Sequence, residues 1–347
     1  MSEFGNAPVA TQANPEDKPV FLRSPVPRWF TCVPNATNTL ELAVIGRQFW
    51  QYTAMETLSY AAQGLGENVG HLLKAVADFN TEQRLHPRLN ARLGNVMASI
   101  ERRDGYSATD ELQAWCSDSP ESWYAAKGIT VESIATHAWE RALLHEIRSH
   151  QVPETKAPGV FPMLERPLLP HEKRIEEVMR MIQEVDPAMH HEIAEHVSLV
   201  KLFTGRGIEG LSTPKAFGAI WLQAPEPEKA ISWYLEHLVH ECSHLHLNLL
   251  MVLDPLMTNP NDLNEAPIRP DPRPMFQILH GTFVLARNCR THRRVSAEYP
   301  ELGLTEAVKK FEEQFLKGLE VLTHNMKPTE LGHYLIDTLK EEANSIQ

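Results

Sequence analysis

Apolar residues recur at helical intervals along most of this chain, and the pattern predicts a mainly helical protein. Two short apolar runs, Ser198–Phe203 and Phe217–Gln223, are instead typical of strands, because glycines and a proline punctuate the segment between them. The predicted fold class is therefore mainly α (α+β), with a small β-hairpin or sheet beside a buried helix. Helices are predicted over Thr39–Gln63, Glu67–Arg103 with a break near Pro87, Thr130–His150, His171–His196 with an interruption at Pro187, Ala230–Leu253, Pro274–Val295, Thr305–His324 and Thr329–Glu342.

One of these segments, Ala230–Leu253, has no internal glycine or proline. From Leu235 onward it is too apolar for a helix with one face in water, so we expect it to be buried. Polar side chains in a buried helix need hydrogen-bond partners or a metal ion. The histidines of this segment are therefore candidates for a functional site.

Two of them belong to a His-Glu-x-x-His motif formed by His240, Glu241 and His244. At 3.6 residues per turn, positions i and i+4 share one helix face about 6 Å apart, which suits a single divalent metal. The alternative is a pair of hydrogen-bonded core histidines. His237 lies near the same stripe and could support the ligands from outside, whereas His246 points elsewhere and fits a structural role.

A catalytic metal site needs a third protein ligand, and His280 is the strongest candidate because it lies on the following predicted helix among apolar residues. Leu247 and Leu250 occupy the glycine and histidine positions of the metzincin pattern, so that class is excluded. The helix Pro274–Val295 has no glutamate that could complete a gluzincin-like site. Asp254 is about 15 Å further along a straight helix than His244 and is out of reach. The alternative for His280 is a packed core histidine.

Two arginines near His280 could bind an acidic ligand. Arg287 follows His280 by two helical turns on the same face, and Arg273 precedes the same helix. Either guanidinium could pair with a carboxylate of a small acid at the metal, or could be a structural ion-pair partner.

A second helix, His171–His196, carries another histidine and carboxylate at spacing i, i+4. His191 and Glu195 could hold a metal, but no apolar residues enclose the pair in the sequence pattern. A solvated helix face explains them better.

Composition narrows the function classes. The formal charge of −12 and the lack of a Lys/Arg run argue against nucleic-acid binding. No segment has the length and apolarity of a membrane span, and the first residues lack a secretory signal, so we expect a cytoplasmic protein without membrane contact. The four cysteines show no Cys-x-x-Cys pair and predict no disulfide framework; Cys242 points away from the histidine face and fits a core thiol.

The chain is predicted to have three parts. Residues 1–20 are polar and rich in Pro, Ala and Asn, and they predict a disordered arm. A proline-rich stretch, Val152–Pro170, marks a seam between an N-terminal helical subdomain, 21–165, and a metal-binding catalytic subdomain, 166–347.

An ordered series of segments in the C-terminal half resembles a known family. The segments are Phe217–Leu222, Leu238–His244, Asp271–Pro274 and Leu279–Phe283. Together they resemble the HExxH-motif peptide-modification proteins, also described as 2-oxoglutarate-dependent HExxH-type peptide β-hydroxylases. The similarity runs through about residues 195–300. It implies an Fe(II)-dependent dioxygenase that uses O2 and 2-oxoglutarate to hydroxylate a side-chain β-carbon of a peptide or amino acid, including ribosomally made precursor peptides.

Carried over residue by residue, the resemblance makes His240 and His244 iron ligands and His280 the third. Arg273 or Arg287 would then hold the far carboxylate of 2-oxoglutarate, and Glu241 would orient a ligand or bound water. Three imidazoles depart from the two-histidine, one-carboxylate set usual for non-haem iron oxygenases.

Two other function classes stay open from the sequence. In a zinc metallopeptidase, the same histidines would bind Zn²⁺ and Glu241 would be the general base for a metal-activated water. In a noncatalytic peptide-binding protein, the metal motif would support no turnover.

Overall fold

A computed structural model describes most of the chain, and within it α-helices predominate over short strands. This confirms the predicted fold class, mainly α with a minor β part. The predicted disordered arm, 1–20, lies outside the described residues. In the part that is described, no helix combines the length and the apolarity needed to cross a membrane. The described residues are 25–65, 69–134, 137, 139, 140, 144, 159–163, 168–226, 230–266 and 270–346.

The packing of the backbone divides the chain into two compact units. Unit 1 includes Val44–Leu168 and Ser198–Ala224, and unit 2 comprises Pro25–Ala43, Leu169–Val197 and Pro225–Gln347. The change of unit after Leu168 lies close to the predicted seam at 165/166. The observed division differs from the predicted one because Ser198–Ala224 belongs to unit 1 and not to the C-terminal part. Its strands pair with strands from earlier in the chain.

The helices that precede the sheet surround an apolar core rich in tryptophan. The ring of Trp115 lies 6.2 Å, between centroids, from both Trp50 and Trp123, and all three side chains are buried. The helices are α1 (Ala36–Leu65), α2 (Gly70–Ala77), α3 (Pro87–Glu101) and α4 (Gly105–Cys116).

Helix α4 falls in a segment that the hydrophobic pattern did not predict as helical. Asp104 caps its first turn by accepting a hydrogen bond from the backbone N–H of Ser107. Ala108, Leu112 and Trp115 follow at spacings of four and three and are buried. A cap followed by a three-residue apolar stripe is therefore enough to form a short helix here, although its other positions are polar.

The sheet of unit 1 has the strand order β1-β3-β5-β4, and β2 also pairs with β3. Its strands are β1 (Thr130–Ser133), β2 (Gly159–Phe161), β3 (Leu199–Arg206), β4 (Gly210–Ser212) and β5 (Ala219–Gln223). Both predicted strands, β3 and β5, are present, but they run parallel and so form a sheet rather than a hairpin. The connection between them starts and ends at glycines with positive φ, 88° at Gly207 and 95° at Gly218.

The prediction of a helix over Thr130–His150 is wrong at its start, because its first four residues form β1. Residue Val131 is buried there, and the strand pairs in parallel with β3. Pairing to a sheet edge is a tertiary effect that a local helical pattern does not contain. Most of the remainder of that segment lies outside the described residues.

Unit 2 is built from helices, with one two-stranded ribbon. Asp186 ends the first helix and caps the second, which begins at Pro187 as the sequence predicts. The helices are α5 (Leu169–Val185), α6 (Pro187–His196), α7 (Ala230–Leu253), α8 (Met275–Glu298), α9 (Thr305–Asn325) and α10 (Glu330–Asn344), and the ribbon pairs β6 (Leu263–Asn264) with β7 (Arg273–Pro274).

Candidate metal centre

Helix α7 places the two motif histidines on one face, as their spacing predicts. The Nε2 atoms of His240 and His244 lie 3.3 Å apart, and their ring centroids are 5.0 Å apart. Two nitrogens bound at about 2.0–2.1 Å to one metal ion lie roughly 2.8–3.4 Å from each other at right or tetrahedral angles. The spacing of the pair therefore matches that of two imidazole ligands of a single metal.

Helix α8 brings His280 against the same pair. Its Nδ1 lies 3.1 Å from Nδ1 of His244, and its Nε2 lies 3.3 Å from the sulfur of Met251. His244 thus meets His240 through one ring nitrogen and His280 through the other, so the three rings form a row. An imidazole binds one metal through one nitrogen. A shared site for all three histidines requires His280 to turn its ring toward the Nε2 atoms.

The three histidines of the row are only partly buried. Burial lowers the pKa of His244 to about 3 and of His280 to about 4. Burial also lowers the pKa of His240 well below its ordinary value, and the neighbouring His244 and His237 add to this effect. All three imidazoles are therefore neutral at pH 7, which is the form that binds metals.

The other motif residues are buried around the row. Glu241 has only 4% of its surface exposed. His237 stacks on Trp233 at 3.8 Å between ring centroids, and its Nδ1 lies 2.9 Å from the carbonyl oxygen of Trp233. Its ring is 6.4 Å from that of His240, so His237 adjoins the metal face without joining the row.

Both arginines predicted to bind a small acid are engaged in ion pairs. Arg273 contacts Asp271 at 2.8 Å, and these side chains are 35% and 56% exposed. Arg287 is buried and donates to Glu192. An exposed pair contributes about 0–1 kcal/mol, whereas breaking a buried pair costs about 3–5 kcal/mol. Arg273 can therefore exchange its partner for a ligand carboxylate far more easily than Arg287.

A further cluster of possible metal ligands lies on α6 and α7, and the sequence analysis missed it. Within the described part of the chain, one ligand atom from each of Glu192, His196 and His246 lies within 4.8 Å of the others. Nε2 of His196 and Oε2 of Glu192 are each 3.3 Å from Nδ1 of His246. All three side chains are buried.

The pattern on α6 contained a signal for this cluster. The pair considered from the sequence was His191 and Glu195, for which a solvated helix face was favoured, but the buried carboxylate and histidine at this spacing are Glu192 and His196, each one residue later. The buried apolar residues of α6 share the face of this pair, because Ile193 stands one position after Glu192 and three before His196. The position of Glu192 and His196 beside the apolar stripe of α6 was therefore the signal that identifies this pair.

Charge and burial set the chemistry of this second cluster. Arg287 lies against Glu192, so the carboxylate has its own cation. Burial, with a further contribution from Arg287, lowers the pKa of His246 well below its ordinary value. Cys242 is a buried free thiol whose Sγ lies 3.8 Å from Oε1 of Glu192, and burial raises its pKa well above the usual value.

No model of a protein family and no curated protein matches this chain. Its function is therefore inferred from the geometry of its own residues and from the resemblance of its motifs.

Proposed function

We propose that this protein is an Fe(II)- and 2-oxoglutarate-dependent oxygenase that hydroxylates a side-chain β-carbon of a peptide or amino acid. His240, His244 and His280 would be its metal ligands. The observation that carries this proposal is the 3.3 Å separation of the Nε2 atoms of His240 and His244, with His280 in contact with His244. The partial exposure of these three residues agrees with a catalytic site, because a catalytic metal must keep a position open to its substrates.

The donor set fits a borderline divalent ion. Three neutral imidazoles suit Fe(II) and Zn(II), and they leave the full positive charge of the metal available to an anionic cosubstrate. Bound iron supplies the activation of O2 and of the keto acid. Arg273 is the better of the two predicted arginines to hold the far carboxylate of 2-oxoglutarate, because its ion pair is exposed.

The residue after the third histidine is a glycine with open space beside it. A Cβ atom added at Gly281 would meet no atom within 4 Å. A peptide substrate, such as a ribosomally made precursor, is what the resemblance implies, and a cytoplasmic setting is what the sequence predicts.

Addition of Fe(II) and 2-oxoglutarate under anaerobic conditions tests the proposal. The purified full chain should gain a visible metal-to-ligand charge-transfer band, and His240→Ala should abolish it. His190→Gln is the control, because it removes a histidine that belongs to neither cluster, and it should keep the band. The same band in the His240→Ala protein would contradict the assignment of the ligands.

The motif also supports a second candidate, a zinc metallopeptidase. Glu241 follows a metal-facing histidine directly, which is the arrangement such an enzyme uses to place its general base. This candidate predicts that the zinc-loaded protein cleaves peptides without 2-oxoglutarate and that Glu241→Gln abolishes cleavage. Equal cleavage by the wild type and Glu241→Gln would exclude it.

A further inference from the structure

Helices α6 and α7 create a polar cluster that the proposed reaction does not use. On α6, Glu192 and His196 stand at positions i and i+4 and therefore share one helix face. His246 on α7 meets both, at 3.3 Å from a nitrogen of His196 and 3.3 Å from an oxygen of Glu192. These separations lie within the range of roughly 2.8–3.4 Å expected between neighbouring ligands of one ion.

The carboxylate of Glu192 provides a second observation. Its side chain is completely buried, and Oε2 receives no hydrogen bond with acceptable geometry from any residue that the structure describes. His246 Nδ1 approaches this oxygen without forming such a bond. A buried carboxylate oxygen without a hydrogen-bond donor lowers the stability of the fold, so a cation bound to Oε2 would be stabilising.

We propose that Glu192, His196 and His246 form a second metal site, which binds a zinc-like divalent ion in a buried, structural setting. One carboxylate oxygen and two imidazole nitrogens suit such an ion. All three side chains are buried, so the ion would be shielded from substrates, and the cluster supplies three of the four ligands that a tetrahedral zinc ion takes. The ion would join α6 to α7.

The two clusters are separate on the helix that they share. His244 and His246 are two residues apart, which is about 200° around an α-helix. The second site therefore faces away from the row of His240, His244 and His280. Loss of one site should leave the ligands of the other in place, and the two proposals can fail independently.

The charge and the position of Arg287 affect how strongly the second site should bind a metal ion. It contacts Oε1 of Glu192 and leaves Oε2 to face the histidines, as partners of ligating carboxylates do. Its positive charge also cancels that of the carboxylate. We therefore expect that Arg287→Gln lowers the stability of the metal-free protein and that added zinc restores at least part of the lost melting temperature.

Metal stoichiometry tests the second site. The full chain is stripped with chelator, loaded with zinc alone, and freed of excess ion before elemental analysis. The wild type should hold two zinc ions per chain, and Glu192→Gln and His246→Gln should hold one. His190→Gln, a matched histidine change on α6 outside the cluster, should hold two. An unchanged zinc content in Glu192→Gln and His246→Gln would overturn the inference.

The same measurement separates this inference from the proposed function. A joint His240→Gln, His244→Gln variant should also hold one zinc ion. If the wild type holds a single ion that only this joint variant loses, the second site is refuted and the first stands. If that ion is lost only in Glu192→Gln, the second site stands and the first is refuted.

Variants of a buried cluster can fail to fold, so the unmodified protein gives an independent test. Crystals of the zinc-loaded wild type should show an anomalous scattering peak between Glu192, His196 and His246. A crystal that is saturated with zinc but has no peak at this position would refute the inference without any substitution. Zinc rescue of Arg287→Gln supports it, and equal destabilisation with and without zinc counts against it.

Discussion

The pair formed by Glu192 and Arg287 allows a quantitative test of the buried polar cluster. Both side chains are essentially inaccessible, at 0% and 1% exposure. Nε and Nη1 of Arg287 have no hydrogen-bond partner among the described residues, so Glu192 is its principal compensation. Removing either partner leaves the other charge buried and should cost about 3–5 kcal/mol of unfolding free energy.

The experiment is a double-mutant cycle in the presence of chelator. Glu192→Gln, Arg287→Met and the double variant are unfolded in urea, and their free energies of unfolding are compared with the wild type. Methionine keeps an apolar side chain over the ring of Phe283, which the guanidinium carbon now approaches at 5.1 Å from the centroid. The double variant should lose less than the sum of the two single losses, with a coupling of about 0.5–3 kcal/mol. Strictly additive losses below about 1 kcal/mol each would refute the reasoning.

Three further predictions concern packing, acid stability and the cosubstrate. A Cβ atom at Gly332 would lie 1.9 Å from a backbone oxygen, so Gly332→Ala should destabilise the protein by about 1–3 kcal/mol. Gly94→Ala, where no atom lies within 4 Å, should stabilise it by roughly 0.5–1 kcal/mol in the same urea assay; equal effects would contradict this. Because burial sets the pKa of His244 at about 3 and of His280 at about 4, the unfolded chain binds more protons below the ordinary histidine value of 6.5. The unfolding free energy of metal-free protein should therefore fall from about pH 6.5 to about pH 4, by at most about 1.4 kcal/mol per pH unit for each ring, and a flat profile would contradict the assigned burial. Arg273→Met should raise the KM for 2-oxoglutarate at least about tenfold, the size of one lost charge-assisted hydrogen bond, and an unchanged KM would exclude this arginine from the site.

The helices of unit 2 were predictable from the sequence because their apolar residues recur at helical spacing without interruption. The break between α5 and α6 was also predictable, since Pro187 is compatible with a first turn and not with a helix interior. Helix α4 was not predicted, because a single cap at Asp104 starts it and few of its positions are apolar. The strand β1 was not predicted either, because its conformation depends on pairing with β3.

The candidate site shows the same division between local and long-range information. The contact of His240 with His244 follows from helix geometry, and the sequence predicted it through the motif spacing. The approach of His280 depends on how α8 packs on α7, and the sequence indicated only its apolar surroundings. His246 lies 50 positions after His196, so only the fold reveals its approach to the pair formed by Glu192 and His196 on α6.

The most direct test of the proposed oxygenase is the fate of 2-oxoglutarate under isotopically labelled O2. The assay follows the cosubstrate itself, because decarboxylation of the keto acid would precede the attack on the prime substrate, and it can therefore be run without knowing the peptide. The iron-loaded wild type should form succinate that carries one labelled oxygen atom in its new carboxylate, and His240→Ala should form none. Absence of labelled succinate from the iron-loaded wild type, with the same 2-oxoglutarate recovered, would contradict the account.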